Sequence, residues 1–201
     1  MKLRKILLPL SVLLLLAVTV SASFAYFTAR SSVKNVFTVG SVDIKLEEPD
    51  WNPDDPHEAI PGAEFAKNPT VKNTGRTGAY VRVHVEISDY TAFVTGLPSG
   101  YDLSSMFSGG DSSKWTLAGE PVVNGVDDTI TYTYYYKTVL AAGEETGPLF
   151  EKVTIPALLT ESAMTAMDGE FSVTVIADAI QELDTFQGVE DAFVAFDEQR
   201  N

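Results

Sequence analysis

The side chains able to do metal or acid–base chemistry are few in kind: two histidines, no cysteine, and 28 acidic residues against 14 basic ones. His57-Glu58 opens like the His-Glu-x-x-His motif, which puts two zinc ligands on one helix face, but the fifth position is Pro61. Pro53, Pro56 and Pro61 also oppose a helix there. A zinc site drawing on His57, His84 and a distant carboxylate has no support in the spacing, so zinc is not expected. His84, between Arg82 and Glu86, reads as an exposed strand residue. Glu47, Glu48, Asp50, Asp54, Asp55 and Glu58 crowd one short stretch, where a hard cation such as calcium would find oxygen ligands. The order is not that of an EF-hand, and a solvated acidic loop is the simpler reading. No Gly-x-Ser-x-Gly elbow occurs, and Ser108-Gly109-Gly110-Asp111-Ser112 lacks the Lys and the strand–helix frame of a phosphate loop. Tyr132, Tyr134, Tyr135 and Tyr136 would suit sugar stacking, but alternating aromatics in a strand more often serve a core and cross-strand pairs. Catalytic residues are therefore not expected.

Composition narrows the class further. The whole chain carries a net charge of −14 over 201 residues. Such a surface repels nucleic acid, so no nucleic-acid partner is expected. The chain opens with Lys2, Arg4 and Lys5, continues with an apolar run over residues 6–20, and reaches small residues at Ser23 and Ala25. That three-part order predicts a secretory signal peptide over 1–25. The alternative, an uncleaved anchor, is opposed by the shortness of the run against the roughly 20 residues a bilayer requires. No Leu-Pro-x-Thr-Gly sorting motif and no second apolar anchor follow. A secreted protein of the extracellular matrix or cell surface, without a stable membrane span after cleavage, is expected. With no disulfide to staple it, the domain must be held by its core or by assembly.

The elements that would carry these residues are mostly strands. Val81, Val83, Val85 and Ile87 alternate with polar residues, as do Ile130, Tyr132, Tyr134 and Tyr136, and Phe171, Val173, Val175, Ala177 and Ala179. Val42, Ile44 and Leu46 make a further strand, and residues 65–73 a weaker one that Pro69 places at an edge or bulge. Residues 115–118 and 149–155 complete the set. Asn124-Gly125 reads as a hairpin tip, and Asn73-Thr74-Gly75 and Ala142-Gly143 as turns. Helix is scarce. Thr160 caps a short one running to Met167, and Val189, Ala192, Phe193 and Phe196 give a final helix one apolar face. Residues 90–113 read as a long connection containing a helical turn. The expectation is an all-β, antiparallel β-sandwich with short helical insertions and a C-terminal helix.

The order of segments carries a resemblance. A leader ending in Ala-Tyr-Phe-Thr precedes "VFTVGSVDIKL". Next come "IPGAEFAKNPTVKNTGRTGAYVRVHVEI", "YYYKTVLAAGEETGPLFEKVTI" and "FSVTVIADAIQ". Together these resemble the TasA/camelysin family of exported bacterial proteins over nearly the whole chain beyond the leader. The resemblance implies a jelly-roll-like sandwich over residues 40–201 and processing by a dedicated signal peptidase. It also implies self-assembly into extracellular biofilm-matrix fibres, with a matrix accessory protein as a further partner and no cofactor. In such fibres the segment freed by cleavage inserts as a strand into the next subunit. Here that arm is residues 26–39, with Tyr26, Phe27, Val33, Val36 and Phe37 as apolar anchors. Arg30 and Lys34 are its charge contacts, to be met by the acidic stretch at residues 47–58. The polar residues between the anchors leave a flexible leader or a strand of the arm's own sheet as the alternative. Camelysins, described as casein-cleaving metallopeptidases, supply the rival reading, although this chain lacks their required motif. A monomeric adhesin is the third.

Overall fold

A computed structural model describes residues 42–52, 60–167 and 171–198. The expected arm, the leader, His57, Asp54, Asp55 and Glu58 lie outside the described residues.

Among the described residues ten strands and three α-helices follow in chain order. They are β1 Ile44–Glu47, β2 Glu64–Ala66, β3 Thr70–Asn73, β4 Ala79–Ile87, α1 Tyr90–Gly96, β5 Phe107–Ser108, β6 Trp115–Leu117 and β7 Val122–Asn124. Then come β8 Thr129–Tyr136, β9 Lys152–Thr154, α2 Glu161–Ala166, β10 Val173–Gln181 and α3 Val189–Glu198. The protein is predominantly β, and every pairing is antiparallel. The large sheet has the order β10-β4-β8-β6, with β7 also on β8; the small sheets are β2-β9-β5 and β1-β3.

The alternation read along β4 explains why it is central. Val81, Val83, Val85 and Ile87 turn to the core and are fully buried. There they meet Ile130, Tyr132 and Tyr136 of β8, Val71 of β3, Val153 of β9, and Phe93 of α1. Phe107 stacks on Phe150 with centroids 4.7 Å apart, and Trp115 meets Tyr136 edge to face at 5.1 Å. The tyrosines of β8 thus divide between two cores instead of forming a sugar-stacking surface. Tyr132 and Tyr136 are buried inside, while Tyr135 stacks on Phe193 of α3 at 5.7 Å. On that opposite face α3 lays Ala192 and Phe193 over Tyr80, Tyr135 and Ile180, a second small core.

Three sequence expectations need correction. Residues 65–73 do not form one strand: β2 ends before Pro69 and β3 starts after it, in different sheets. Proline has no N–H to carry the ladder through, and here its carbonyl instead accepts from Leu149 N at 2.9 Å. The hairpin tip is not Asn124-Gly125 alone. Residues 125–128 make the connection, Asn124 Oδ1 accepts from Val126 N, and Asp128 carries the positive φ of 52°. His84 is not an exposed strand residue, as the next section describes. The short helix is capped as read: Thr160 Oγ1 accepts from Ala163 N at 3.3 Å.

Candidate functional site

The feature most able to act on another molecule is an edge. In the β10–β4 ladder, Ser88 N donates to Ser172 O and Glu182 N to Gly78 O. The register is constant between those ends. Antiparallel geometry then directs the backbone groups of Thr174, Ile176, Asp178 and Ile180 toward β4. Those of Val173, Val175, Ala177, Ala179 and Gln181 point away from it. No described strand pairs on that side; β1 comes close to β10 but ladders with β3. The side chains of these same five residues face the core, yet none is fully buried. Val173, Val175 and Ala177 pack on the main core while keeping part of their surface open. The Oε1 of Gln181, at the end of the strand, is buried without a hydrogen-bond partner. The edge therefore offers a row of outward N–H and C=O groups, half-covered apolar side chains beneath them, and a buried acceptor in want of a donor.

A polar cluster fixes this strand from its other face. Arg82 of β4, only 6% exposed, donates to Asp178 Oδ2 of β10 at 2.8 Å and to Asp197 Oδ2 of α3 at 2.6 Å. Its guanidinium also lies 4.3 Å from the centroid of Phe193. One buried cation so ties the edge strand, the central strand and the terminal helix. His84, one pleat further on, places Nδ1 2.9 Å from Thr133 Oγ1 and Nε2 3.4 Å from Asp178 Oδ2. Burial pushes its pKa down, the Arg82 charge adds to that, and Asp178 opposes it. The expected exposure fails because β10 and β8 flank β4 on both sides and bring Asp178 and Thr133 against the ring.

The described part of the acidic stretch is already engaged. Glu47 pairs with Lys45 at 2.6 Å, a hydrogen bond that holds its carboxyl below the usual value. Glu48 takes both its oxygens to the buried Lys67, each at 2.8 Å, and Lys67 Nζ also sits 4.6 Å over the Trp51 ring. Asp50 and Asn68 are joined twice: Asp50 N donates to Asn68 Oδ1 and Asn68 Nδ2 to Asp50 Oδ2. Glu48 and Asp50 act here as tethers of the loop to the β2–β3 connection. Among the described residues no three His, Asp or Glu side chains are grouped to hold a metal.

Neither the open edge nor the Arg82 cluster was legible beforehand, since Arg82, Asp178 and Asp197 are separated by 96 and 115 positions. The available signal was Asp178, the one charged residue of a mostly apolar strand. Site and fold together define a predominantly β domain whose main sheet ends at β10 in an edge that no other described strand covers. Comparison of the chain with protein-family models and with curated protein sequences finds no match.

Proposed function

We propose that this protein is a secreted structural subunit of extracellular matrix fibres of the TasA/camelysin type, built by strand addition. The β10 edge is the acceptor, and residues 26–39 of a neighbouring copy are the donor. The observation that carries this reading is the side of Val173–Gln181 turned away from β4, where no described strand covers the backbone hydrogen-bonding groups or the margin of the core. A strand added there gains ladder bonds along its length, and its alternate apolar residues close the core. Tyr26, Phe27, Val33, Val36 and Phe37 supply such side chains. Because donor and acceptor are different surfaces, each added copy exposes a fresh edge, and the contacts run on as a filament. In this reading the sheets form the two layers of a jelly-roll-like sandwich, and the chemistry needs no cofactor.

The test is electron microscopy of the chain from Tyr26 beside one starting at Val39. Filaments from the longer chain alone are expected. Filaments from both would remove the arm from the interface, and filaments from neither would end the assembly reading.

A further inference from the structure

A cavity of about 440 Å³ opens between α1, the loop at residues 97–102 and strand β8. It lies on the far side of β8 from the open edge, and its lining has not entered the assembly reading. Tyr132 and Ile130 form its floor; Tyr90, Tyr101 and Pro121 stand at its walls. Tyr90 and Tyr101 each pack one part of the ring on the main core and keep the remainder accessible. Among the described residues, Asp102 is the only charged one that lines it.

The Asp102 carboxylate is fixed in place. Oδ1 accepts from Ser104 N at 2.8 Å and Oδ2 from the Ser104 hydroxyl at 2.7 Å, as the cap of the 3-10 turn Leu103–Met106. Both donors are neutral, no described cation pairs with this exposed carboxylate, and each oxygen keeps a free lone pair. Its field reaches the phenols around it. Burial pushes the hydroxyl of Tyr132 upward and that of Tyr134 to about 12, and in both the nearby Asp102 charge adds to the shift. Among the described residues no lysine, arginine or histidine lines the cavity. Anionic ligands are thereby disfavoured in a protein already at −14.

Tyrosines around a single anchored carboxylate, over Ile130 and Tyr132, match one chemical class. We infer that this cavity binds an organic cation, an ammonium or guanidinium group on an apolar stem of the kind lysine and arginine side chains carry. The charge would meet Asp102 and the ring faces of Tyr90 and Tyr101. The stem would lie along Ile130 and Pro121. Nothing in this inference depends on how or whether the chain assembles.

The test is saturation-transfer difference NMR on the chain from Tyr26, which contains the whole described fold and gives a signal from monomer and polymer alike. The probes are butylguanidinium and butylammonium, against N-butylurea, the neutral isostere, and methyl glucoside, a neutral sugar. The cations should bind roughly tenfold more tightly than N-butylurea, and added salt should narrow that gap. Asp102→Asn, which preserves the cap, should weaken cation binding about fivefold. Tyr101→Leu should weaken it with little change in fold by circular dichroism. If Asp102→Asn proves unfolded, Tyr101→Leu and the salt dependence decide. Equal binding of N-butylurea, stronger binding of methyl glucoside, unchanged cation binding in both variants, or no transfer to the cations would each overturn the inference.

Discussion

The large sheet ends in two edges that differ in kind. On one side, β6 and β7 both pair with β8 but in registers two residues apart, because residues 119–121 bulge out between them. Gly119 takes a φ of 66° there, and Glu120 and Pro121 follow it. Short strands, a bulge, a charge and a proline are the devices by which natural sheets discourage edge-to-edge pairing. On the other side, β10 runs nine residues without a break, without proline, and with one charged residue, Asp178, which Arg82 holds on the outer face. The same sheet is therefore blunted at one edge and left competent at the other. A fold that protects one edge so thoroughly has a use for the other, and that contrast directs the assembly proposal to β10.

The comparison is broken most directly by removing one outward donor from each edge. Ala177→Pro deletes an N–H that points away from β4, so the monomer should stay folded while filaments disappear from electron micrographs. Leu117→Pro deletes an outward N–H at the blunted edge and should leave filaments intact. If both variants polymerise, β10 is not the acceptor.

The next effect is on stability. Arg82→Leu removes the cation that Asp178 and Asp197 share, and with it the side-chain tie from β4 to α3, while the β10–β4 ladder stays in place. Because Asp197 is half-exposed, the expected loss is about 2–3 kcal/mol, below that of a fully buried pair, measured by urea denaturation of the chain from Val39. A finer comparison uses one rung of the ladder, where Val85 faces Val175. Val85→Ala in the sealed core should cost about 2 kcal/mol, and Val175→Ala at the open margin about 1 kcal/mol or less in the monomer. If covering β10 completes the core, the Val175 cost should rise on polymerisation.

A smaller effect follows from His84. Its folded pKa lies below its ordinary value, so the unfolded chain binds the proton more readily. This contribution to stability is complete above the ordinary histidine pKa and shrinks as pH falls from there toward the folded value. Thermal melts at pH 7.5 and pH 5.5 should show the wild type losing more stability on acidification than His84→Gln does. An identical slope in the two proteins would put the titration elsewhere. Smallest of all, Val123→Lys at the blunted edge should change stability by no more than about 0.5 kcal/mol and leave assembly alone.

The strands were legible wherever apolar residues alternated, as in β4, β8 and β10, and α3 was legible from the spacing of Val189, Ala192, Phe193 and Phe196. Pro69 reads as an edge or a bulge within one strand, whereas in the fold it separates two sheets, because the local rule bars a ladder bond without saying where the chain goes next. Residues 90–113 looked like a connection. Tyr90, Tyr101 and Asp102 became a cavity wall only because that connection folds back over β8. His84 shows the same limit: its flanking Arg82 and Glu86 suggested solvent, whereas its surroundings come from β8 and β10.

The sequence by itself determined which residues alternate, which face of each strand is apolar, where proline interrupts a ladder and where Thr160 starts a helix. These are properties of a few neighbouring residues, governed by sterics and by the period of the backbone. Only the tertiary structure decided that β4 is central and β10 terminal, that Arg82 joins three elements, and that Asp102 stands among tyrosines without a cation. Those facts depend on the order in which strands pair, and that order is set by the closing of one core from segments far apart in the chain.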